Sequence, residues 1–592
     1  MGPLLALALS ASVQLPPWPL SPDGELVGVT GGAPLSAEGA EVQQVAPGLF
    51  RVRPSPGARV VKLAAGDAGA EAPVEPPPGA IQITADPPVP VKGRDASVAL
   101  AFTVRDAAGA PDPTAAPPLV AASSGKVSAL TPDGPGKFRA RYEPSSARHP
   151  EVAVLFAFSP RCPLCATPRA VGDIILPLTA AIELPGESEP GIRTTVSVGG
   201  RTFGPVVADA QGRFKVPILV PPGAHAVADS VDETGNRKRT NVDLGLPEVD
   251  RLACAAWPRA LPADGTSEAA LWCAAAEAAG APASHPQIVL EASTGSLTAP
   301  EEVRQGLLRA RFRPPSGGAA AEARVVARYP AGGKASTEEV RIALGAGAPA
   351  EIAVALEREP LLPGTATAAR IEVRDARGAP LGRPQVAEGS TEGFVAPDRF
   401  VARRDPGDWV QRSHLSFALP PSETLASLAL RRRGDTWVAE ARSHDARPVP
   451  GVEVRFGSGR TATTDARGEA DEPATGISET VTGPDGVRAA AWEGLDPPAA
   501  PTSIARDVEV RLRPAAPVDV RARVDGRTLR WRVESGEGAA LAGREVVLSA
   551  RGVEVGAPER DGDEGRAALG PGQGTVAVVD VETGVAAVVE VR

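Results

Sequence analysis

The sequence has few of the side chains from which catalytic and metal sites are usually built. Its 592 residues include four cysteines, five histidines and only 4% aromatic residues. No two histidines lie at the i, i+4 spacing of a metal site; they are His149, His225, His285, His414 and His444. A nucleophile elbow, a phosphate-binding glycine loop and an HExxH segment are also missing. The sequence therefore predicts a protein that is not an enzyme and holds no metal or cofactor.

Long apolar stretches are absent as well, apart from a short one at the N-terminus. No later segment approaches the roughly 18 to 20 apolar residues that a membrane helix needs, so no integral membrane segment is expected beyond residues 1–12. These residues have the apolar core and small residues of a signal peptide, although no basic residue precedes the core. They predict an exported protein, in the periplasm, on the outer surface or secreted. The alternative interpretation is a buried first strand.

The net charge and the number of turn residues further narrow the class of protein. A net charge of −10 argues against a nucleic-acid partner. The 63 glycines and 63 prolines disfavour long helices, because proline costs about 3 kcal/mol inside one. The hydrophobic fraction of 43% argues against full disorder. Together these features predict a series of small β domains with proline-rich turns.

Internal repeats support this prediction. One template, an alternating strand followed by an acidic residue, a glycine and a proline, occurs at Ser97–Pro111, Glu268–Pro282 and Thr367–Pro380. The turn glycines are Gly109, Gly280 and Gly378. Because strand side chains alternate between faces, each strand has one predicted buried face, formed in the first copy by Leu100, Phe102 and Val104. We predict that the copies are sister sandwich domains.

The repeat at residues 261–297 resembles a known family. Leu261–Ser267 (LPADGTS), the strand and AAGAP turn that follow, and Ser293–Leu297 are similar to a bacterial Ig-like domain of the invasin/intimin type. Asp445–Phe456 has the same pattern and also resembles a carboxypeptidase-regulatory-like sandwich, and Phe203–Asn236 resembles another bacterial Ig-like subtype. The resemblance covers about 80 to 592. It implies an all-β fold, a tandem array of Ig-like β-sandwich domains, with a surface role.

We predict eight segments from the repeats and the proline-rich junctions. In order they are a signal peptide at 1–12, an N-terminal β module at 13–78, and Ig-like domains at 79–168, 169–247 (a different subtype), 248–346 (the best match), 347–425, 426–502 (Ig-like or carboxypeptidase-regulatory-like) and 503–592. The connections are short and contain proline, so we expect semi-rigid joints. Joined end to end, the domains would extend on the order of 200 Å.

The cysteines form two pairs. Cys254 and Cys273 replace core-facing residues of the sister repeats and lie almost symmetrically about the Asp264–Gly265 turn. That register predicts a disulfide between adjacent antiparallel strands, with two buried free thiols as the alternative. Cys162 and Cys165 have the CxxC spacing of a redox motif, but no amphipathic helix follows to lower a thiol pKa. A disulfide that closes a loop is favoured over redox catalysis, and the spacing does not fit a zinc site shared by all four.

Two weaker binding signals remain. Arg433, Gly434 and Asp435 spell an integrin-type RGD tripeptide, which more simply is a charged turn before a strand. Several turn aspartates could bind calcium, although a turn aspartate commonly caps its own backbone. They are Asp106, Asp209, Asp375, Asp465, Asp561 and Asp563.

The leading hypothesis is a non-enzymatic exported protein that acts as a structural spacer, scaffold or adhesion module of the bacterial envelope. A binding subunit of a larger envelope assembly is the first alternative. A thiol-redox protein using Cys162 and Cys165 is the second. The sequence identifies no protein or cell-surface partner, because no site in it specifies one.

Overall fold

The computed structural model describes residues 11–247, 251–315, 321–330, 336–345, 347–362, 364–376, 378–391, 393–396, 398–402, 410–495, 501–512, 518–581 and 583–592, with 386–391 and 561 described by their backbone alone. These residues form 52 β-strands and a single turn of 3-10 helix at Pro484–Gly486. The protein is therefore all-β, a tandem array of Ig-like sandwiches. Residues 1–10 of the predicted signal peptide lie outside the described residues.

The first two modules are sandwiches of short strands. Module 1 has sheets β1-β2-β5-β4 and β3-β6-β7, from β1 to β7 at Ser12–Gln14, Glu25–Thr30, Leu35–Glu38, Ala40–Ala46, Leu49–Pro54, Val60–Ala65 and Ala68–Pro73. Module 2 pairs β8-β10-β14-β12 against β11-β15-β16, from β8 to β16 at Gly79–Asp86, Val91–Lys92, Val98–Val104, Leu119–Ala122, Lys126–Val127, Thr131–Pro132, Lys137–Glu143, Glu151–Pro160 and Pro168–Glu187.

Module 3 shares strand β16 with module 2. It adds β17 to β21 at Arg193–Val198, Arg201–Val207, Arg213–Val220, Ala226–Val231 and Arg237–Val242. Module 4 has sheets β22-β24-β28-β26 and β23-β30-β29-β25, from β22 to β30 at Leu252–Trp257, Ala260–Pro262, Ala269–Ala275, Val289–Ala292, Ser296–Leu297, Glu301–Arg304, Leu307–Arg313, Glu322–Tyr329 and Ser336–Gly345.

Three further modules complete the chain. Module 5 contains β31 to β37 at Pro349–Leu356, Ala366–Asp375, Pro380–Gly382, Gln385–Thr391, Phe394–Ala396, Arg399–Val401 and Val410–Ala418. Module 6 contains β38 to β44 at Ser427–Arg433, Thr436–Arg442, Glu453–Phe456, Thr461–Thr463, Glu469–Pro473, Ser478–Thr482 and Arg488–Trp492. Strand β45 is Ser503–Arg511, and module 7 contains β46 to β52 at Val518–Asp525, Thr528–Ser535, Val546–Arg551, Glu559–Asp561, Glu564–Ala568, Gly574–Asp580 and Ala586–Val591.

The modules group into two compact units. Unit 1 comprises residues 1–345 and 421–499, which include modules 1, 2, 3, 4 and 6. Unit 2 comprises residues 346–420 and 500–592, which include modules 5 and 7. Strand β45 pairs with β37 in antiparallel register, Val410 opposite Arg511, and so completes module 5 after module 6 has been inserted.

The sheet boundaries differ from the predicted domain boundaries at two places. Strand β16 continues past residue 168, pairing first with β15 as far as Leu178 and then with β19 from Ala180. One strand therefore serves two sandwiches. The predicted C-terminal domain at 503–592 begins with β45, which belongs to the sheet of module 5. The first difference arises because β16 is one continuous strand that pairs in two sheets. The second arises because β45 pairs with β37, which is distant from it in the sequence.

Modules 2 and 4 share one structural feature, in which the first segment of the module crosses from one sheet to the other. In module 2, β8 is followed by a cis Asp86–Pro87 bond and then by β9, which runs parallel to β16. In module 4, β22 is followed by a cis Trp257–Pro258 bond and then by β23, which runs parallel to β30. The first segment of each module thereby pairs with both sheets and joins them.

The repeated strands bury the faces that their alternation predicts. Leu100, Phe102 and Val104 are at most 2% exposed in the core of module 2. The equivalent residues of module 4 and module 5 are also buried, namely Leu271, Cys273, Ala275, Ala369, Ile371 and Val373. The turn glycines Gly109, Gly280 and Gly378 have φ of 84°, 88° and 81°. Positive φ is accessible to glycine without the cost of a Cβ, which explains the recurrence of this residue.

Candidate functional site

A cavity of about 650 Å³ lies where four modules of unit 1 meet. Module 1 contributes the turn before β2 and the start of that strand, and module 2 contributes the loop between β15 and β16. Modules 4 and 6 contribute the residues before β24 and the start of β44. Its charged wall residues are Asp23, Glu25, Arg51, Arg53, Glu75, Asp106, Asp112, Arg161, Arg169, Glu268 and Arg488. We call this cavity and its walls the junction.

Modules 1 and 2 are joined at the junction by two carboxylates of module 1. The backbone N–H of Thr167 donates to Oδ2 of Asp23 at 2.7 Å, and the hydroxyl of Thr167 donates to the other carboxylate oxygen. Arg161 forms an ion pair with Glu75. Both module 2 residues lie in the loop between β15 and β16, so this short segment attaches module 1.

Module 6 is attached to module 1 through Arg488. Its guanidinium carbon lies 5.0 Å from the centre of the Trp18 ring, a distance typical of a cation–π contact. Arg488 also forms ion pairs with Glu75 at 2.5 Å and with Glu25 at 3.6 Å. Trp18 in turn donates its indole N–H to Glu25 at 2.9 Å. Charge and an aromatic face therefore act together at this contact.

Module 4 is attached to module 1 through Glu268. Its carboxylate is bound by Arg311 at 2.9 Å and Arg313 at 2.8 Å within module 4, and by Arg53 of module 1 at 3.3 Å. The side chain of Glu268 is only 8% exposed. Burial of a carboxylate costs free energy because water is removed from its charge. The three guanidinium groups around Glu268 compensate for this cost.

The carboxylates of the junction form two groups, one with raised and one with lowered pKa. Burial raises the pKa of Asp23 and of Glu25 above the usual range, and their hydrogen bonds and nearby arginines only partly offset this. Burial alone would also raise the pKa of Glu268 and of Asp112. Hydrogen bonds outweigh it there, from Arg313 and Arg311 to Glu268 and from Thr114 to Asp112, and hold both pKa values below the usual range.

A second contact inside unit 1 is apolar and was not predicted from the sequence. One face of β15 and one face of β24 pack together as a cluster of buried residues distinct from the two sandwich cores. Phe156 stacks on Trp272 with ring centres 6.1 Å apart. The available signal was that both strands are apolar on both faces, as in VAVLFAF and AALWCAA, whereas a half-buried strand alternates.

The structure contains two disulfides among its four cysteines. Cys254 and Cys273 lie directly opposite each other on β22 and β24, with Cα atoms 4.2 Å apart. This separation is shorter than the 5.5 Å expected for a hydrogen-bonded pair and is close to the ~4.5 Å of a non-hydrogen-bonded one. Cys162 and Cys165 are joined within the loop at the junction, with Cα atoms 5.1 Å apart.

The RGD tripeptide lies at a hairpin. Arg433 ends β38, Gly434 and Asp435 form the connecting turn, and Thr436 begins β39 opposite Arg433. Gly434 has φ of 61°. Arg433 donates to Glu469 at 2.7 Å, so its guanidinium is held on the sheet by β42, which pairs with the other side of β39. The structure thus places the tripeptide in a charged turn before a strand.

Most of the turn aspartates cap their own backbone. One carboxylate oxygen of Asp106 accepts from the N–H groups of Ala108 and Ala110, each at 2.9 Å, and Asp209 and Asp465 do the same in their turns. Asp375 accepts from Ala379, and Asp563 lies 3.6 Å from Arg399. The side chain of Asp561 lies outside the described residues. Over the described part of the chain, no group of three or more His, Cys, Asp or Glu could hold a metal.

The charged and polar side chains of the junction bind one module to another. Its carboxylates are ion-pair or hydrogen-bond acceptors, and its cysteines are joined to each other. The arrangement therefore supports fixed contacts between modules. Within the ranges that the structure describes, no helix is long and apolar enough to cross a membrane.

Comparison with known proteins gives matches to solved structures alone. No protein-family model and no curated protein matches the chain. The structure is similar to invasin, a bacterial integrin-binding protein, over 86% of this chain and 78% of that one, with 11% identity and a TM-score of 0.22. It is similar to the Yersinia pseudotuberculosis adhesin InvE over 53% and 72%, with 14% identity and a TM-score of 0.20.

A Salmonella alpha-2-macroglobulin mutant is also similar, over 96% of this chain and 51% of that one, with 11% identity and a TM-score of 0.15. The chain spans about half the length of this last protein. The structural neighbours thus include bacterial adhesins of the group that the sequence resembles. Scores this low carry no argument about function.

Proposed function

We propose that the chain is a non-enzymatic exported Ig-like protein that acts as a scaffold of the bacterial envelope. The observation that carries this proposal is the packing of β15 on β24 in unit 1. An outer sheet face that is apolar and buried against another sandwich fixes the two modules side by side. This arrangement supports a scaffold better than a spacer of modules joined end to end, which the sequence suggested together with a scaffold and an adhesion module.

The burial at this contact is sufficient to hold the modules together. Phe156 is 0% exposed and Trp272 is 2% exposed, and Val152 and Val154 beside them are fully buried. Full burial of each aliphatic or phenyl side chain contributes about 1.5 to 3 kcal/mol. Several such side chains on each face exceed the strength of a contact based on exposed ion pairs, each worth about 0 to 1 kcal/mol.

Export is supported by the disulfides and by the N-terminal residues. Structural disulfides persist in oxidising compartments and are rare in the cytosol. Strand β1 begins at Ser12, the last residue of the predicted signal peptide at 1–12, and Ser12 is bound to Thr30 of β2 through backbone and side chain. A boundary after Ser12 would therefore divide β1. Cleavage after Ser10 would leave this first strand intact.

A role as a binding subunit of a larger assembly is a second candidate, favoured by one feature of unit 2. The outer face of the sheet β48-β51-β52 exposes Val547 and Val588, which are 54% and 67% exposed. Val579 lies opposite Val547, and Ala577 lies opposite Val588, so both belong to the same face. The same face also carries Ser549, Arg551, Thr575 and Glu590, so its apolar part is a small patch. We propose that this patch would receive a protein of the assembly.

Fractionation of producing cells tests the proposal. We expect the protein outside the cytoplasm with both disulfides formed, and in situ crosslinking should recover the same neighbouring envelope proteins in repeated preparations. Recovery in the cytoplasm with four free thiols would contradict export. Crosslinked neighbours that disappear with Val588→Glu but not with Val588→Thr would favour the binding subunit.

The variant Trp272→Ala tests the scaffold more directly. Truncating a buried tryptophan costs about 3 to 5 kcal/mol, and here the loss falls on the contact between modules 2 and 4. We expect faster hydrogen exchange in the outer face of β15 and loss of the crosslinked neighbours. Trp272→Phe is the matched control, because the indole N–H of Trp272 has no hydrogen-bond acceptor in the structure. Retention of every neighbour by Trp272→Ala would overturn the scaffold role.

A further inference from the structure

The loop between β15 and β16 is the segment on which the junction converges. Arg161 at its start pairs with Glu75 of module 1, and Thr167 at its end binds Asp23 of the same module. The carbonyl oxygen of Cys162 accepts from the indole N–H of Trp257 in module 4 at 3.1 Å. Seven consecutive residues of module 2 thus hold two other modules.

Module 6 reaches the same loop. A Cβ placed on Gly486 would lie 3.0 Å from the carbonyl oxygen of Arg161, so the two backbones are in close contact. Glu75, which binds Arg161, also binds Arg488 of module 6. The position of Arg161 therefore affects the attachment of module 1 and of module 6 together.

The Cys162–Cys165 disulfide closes the centre of this loop. The N–H of Cys165 donates to the carbonyl oxygen of Cys162 at 3.3 Å, so the four residues form a turn. The crosslink restricts the conformations open to the residues between Arg161 and Thr167. Without it, the loop gains conformational freedom, and ordering each backbone residue again costs about 1 to 2 kcal/mol.

The two disulfides differ in accessibility. Cys162 and Cys165 are half-buried and line the cavity of the junction. Cys254 and Cys273 are 5% and 3% exposed and belong to the core of module 4. Thiol–disulfide exchange requires a thiolate to reach a sulfur atom, so access decides which of the two reacts.

We propose that the Cys162–Cys165 disulfide is a redox-sensitive switch that controls how tightly modules 1 and 6 are attached to module 2. A dithiol reductant attacks one sulfur through its thiolate and forms a mixed disulfide, and the released cysteine thiolate takes up a proton. The second thiol of the reductant then displaces the other cysteine. Two electrons and two protons are transferred, leaving two cysteine thiols and an oxidised reductant.

Reduction leaves the sandwiches folded and loosens their contacts. Neither Cys162 nor Cys165 belongs to a hydrophobic core cluster among the described residues. The freed loop no longer fixes Arg161 and Thr167, so Asp23 loses Thr167 and Glu75 keeps Arg488 alone of its two arginines. This inference depends on the geometry of unit 1 and not on the proposed function, so failure of the export test leaves it standing.

The test is a titration of the full-length protein with dithiothreitol, followed by alkylation, peptide mass spectrometry and hydrogen exchange. We expect Cys162 and Cys165 to be labelled at lower reductant than Cys254 and Cys273. Exchange in β2 and β44 should rise several-fold at the same step, while exchange in β29 and β30 of module 4 stays unchanged. Simultaneous labelling of all four cysteines, or unchanged exchange in β2 and β44, would overturn the switch.

The double variant Cys162→Ser/Cys165→Ser separates the switch from other effects of the reductant. It should show the fast exchange of β2 and β44 without any reductant, and low concentrations of dithiothreitol should change it no further. A variant that exchanges like the oxidised wild type would show that the crosslink does not control the attachment.

Discussion

At the scale of single residues, the buried carboxylate of Asp580 and the half-buried carboxylate of Asp23 have different environments. Asp580 in module 7 is 0% exposed and forms an ion pair with Arg544, which is 2% exposed. Burial alone would raise the pKa of Asp580, but hydrogen bonds from Arg544 and Thr583 outweigh it and lower the pKa. Among the described residues, the carboxylate of Asp23 accepts hydrogen bonds from Thr167 alone, and burial raises its pKa. The direct contact of Arg544 contributes to the lower pKa of Asp580, whereas desolvation dominates at Asp23.

Replacing Asp23 by asparagine should remove a pH dependence of unit 1. A folded-state pKa above the unfolded value stabilises the protein while Asp23 is protonated, and this contribution is lost as the pH rises through the folded-state pKa. The unfolding temperature of Asp23→Asn minus that of the wild type should therefore increase between pH 4 and pH 7, as measured by calorimetry.

Asp112→Asn is the control of opposite sign, because the pKa of Asp112 is lowered. Its stabilising contribution is present at neutral pH and is lost as the pH falls through its folded-state pKa. Its temperature difference should decrease over the same pH range. Identical trends for the two variants would contradict the assigned environments.

Removing Arg544 should destabilise unit 2 strongly. Arg544→Ala leaves the buried Asp580 without its partner, and breaking a buried pair in this way costs about 3 to 5 kcal/mol. Arg523→Ala is the comparison in the same module, since the Arg523 side chain is 66% exposed and lies 3.5 Å from Glu564. That change should cost no more than about 1 kcal/mol in denaturant unfolding. Equal costs would be evidence against a buried ion pair.

At the scale of secondary-structure elements, glycine serves two separate purposes. Gly109 lies in a turn with φ of 84°, and a Cβ there would meet nothing within 4 Å. Gly172 lies inside β16, where a Cβ would be 1.9 Å from the carbonyl oxygen of Ile81 in β8. The first glycine provides a backbone conformation, and the second allows two strands to approach each other.

Alanine at the two positions should therefore give different costs. Gly109→Ala should cost about 1 to 2 kcal/mol from the positive φ alone. Gly172→Ala must displace backbone and should cost about 3 kcal/mol, with faster hydrogen exchange in β8 and in the first half of β16. If Gly172→Ala exchanges like the wild type, the close approach of these strands is wrong.

At the scale of the whole molecule, unit 1 is held by contacts between modules far apart in the sequence. Leu495, just after β44 of module 6, occupies space left by two glycines of module 1. A Cβ on Gly28 would lie 3.0 Å from one methyl group of Leu495, and a Cβ on Gly48 would lie 2.3 Å from the other. The chain therefore does not run end to end through these modules, as the linkers alone suggested.

Leu495→Asp should weaken the contact between module 6 and module 1 without unfolding either module. Leu495 is half-buried, so a carboxylate in this position would be partly desolvated without a partner, which destabilises the contact. Hydrogen exchange in β2 and β5 should increase, while the core strands of module 6 keep their protection. Ile477→Asp is the control, because Ile477 is 65% exposed on the same module. An equal effect of both variants would refute the contact.

Much of the local structure could be predicted from the sequence. The buried faces of the repeated strands follow from alternation with a period of two. The position of Cys254 opposite Cys273 follows from the repeat register and the turn between them, and the structure has this register. Both predictions depend on residues near each other in the chain, for which local chemistry is sufficient. The apolar outer faces of β15 and β24 were visible in the sequence but were not interpreted as a contact surface.

By itself, the sequence determined the strands, the turns and the class of sandwich, because these depend on side-chain periodicity and on turn residues a few positions apart. The tertiary structure alone decided which surfaces meet. Asp23 binds Thr167 across 144 residues of chain, and Arg488 binds Glu75 across 413. Such partners come together only when folded modules dock. Before docking, Asp23 and Arg488 are indistinguishable in the sequence from the many charged residues that remain in solvent.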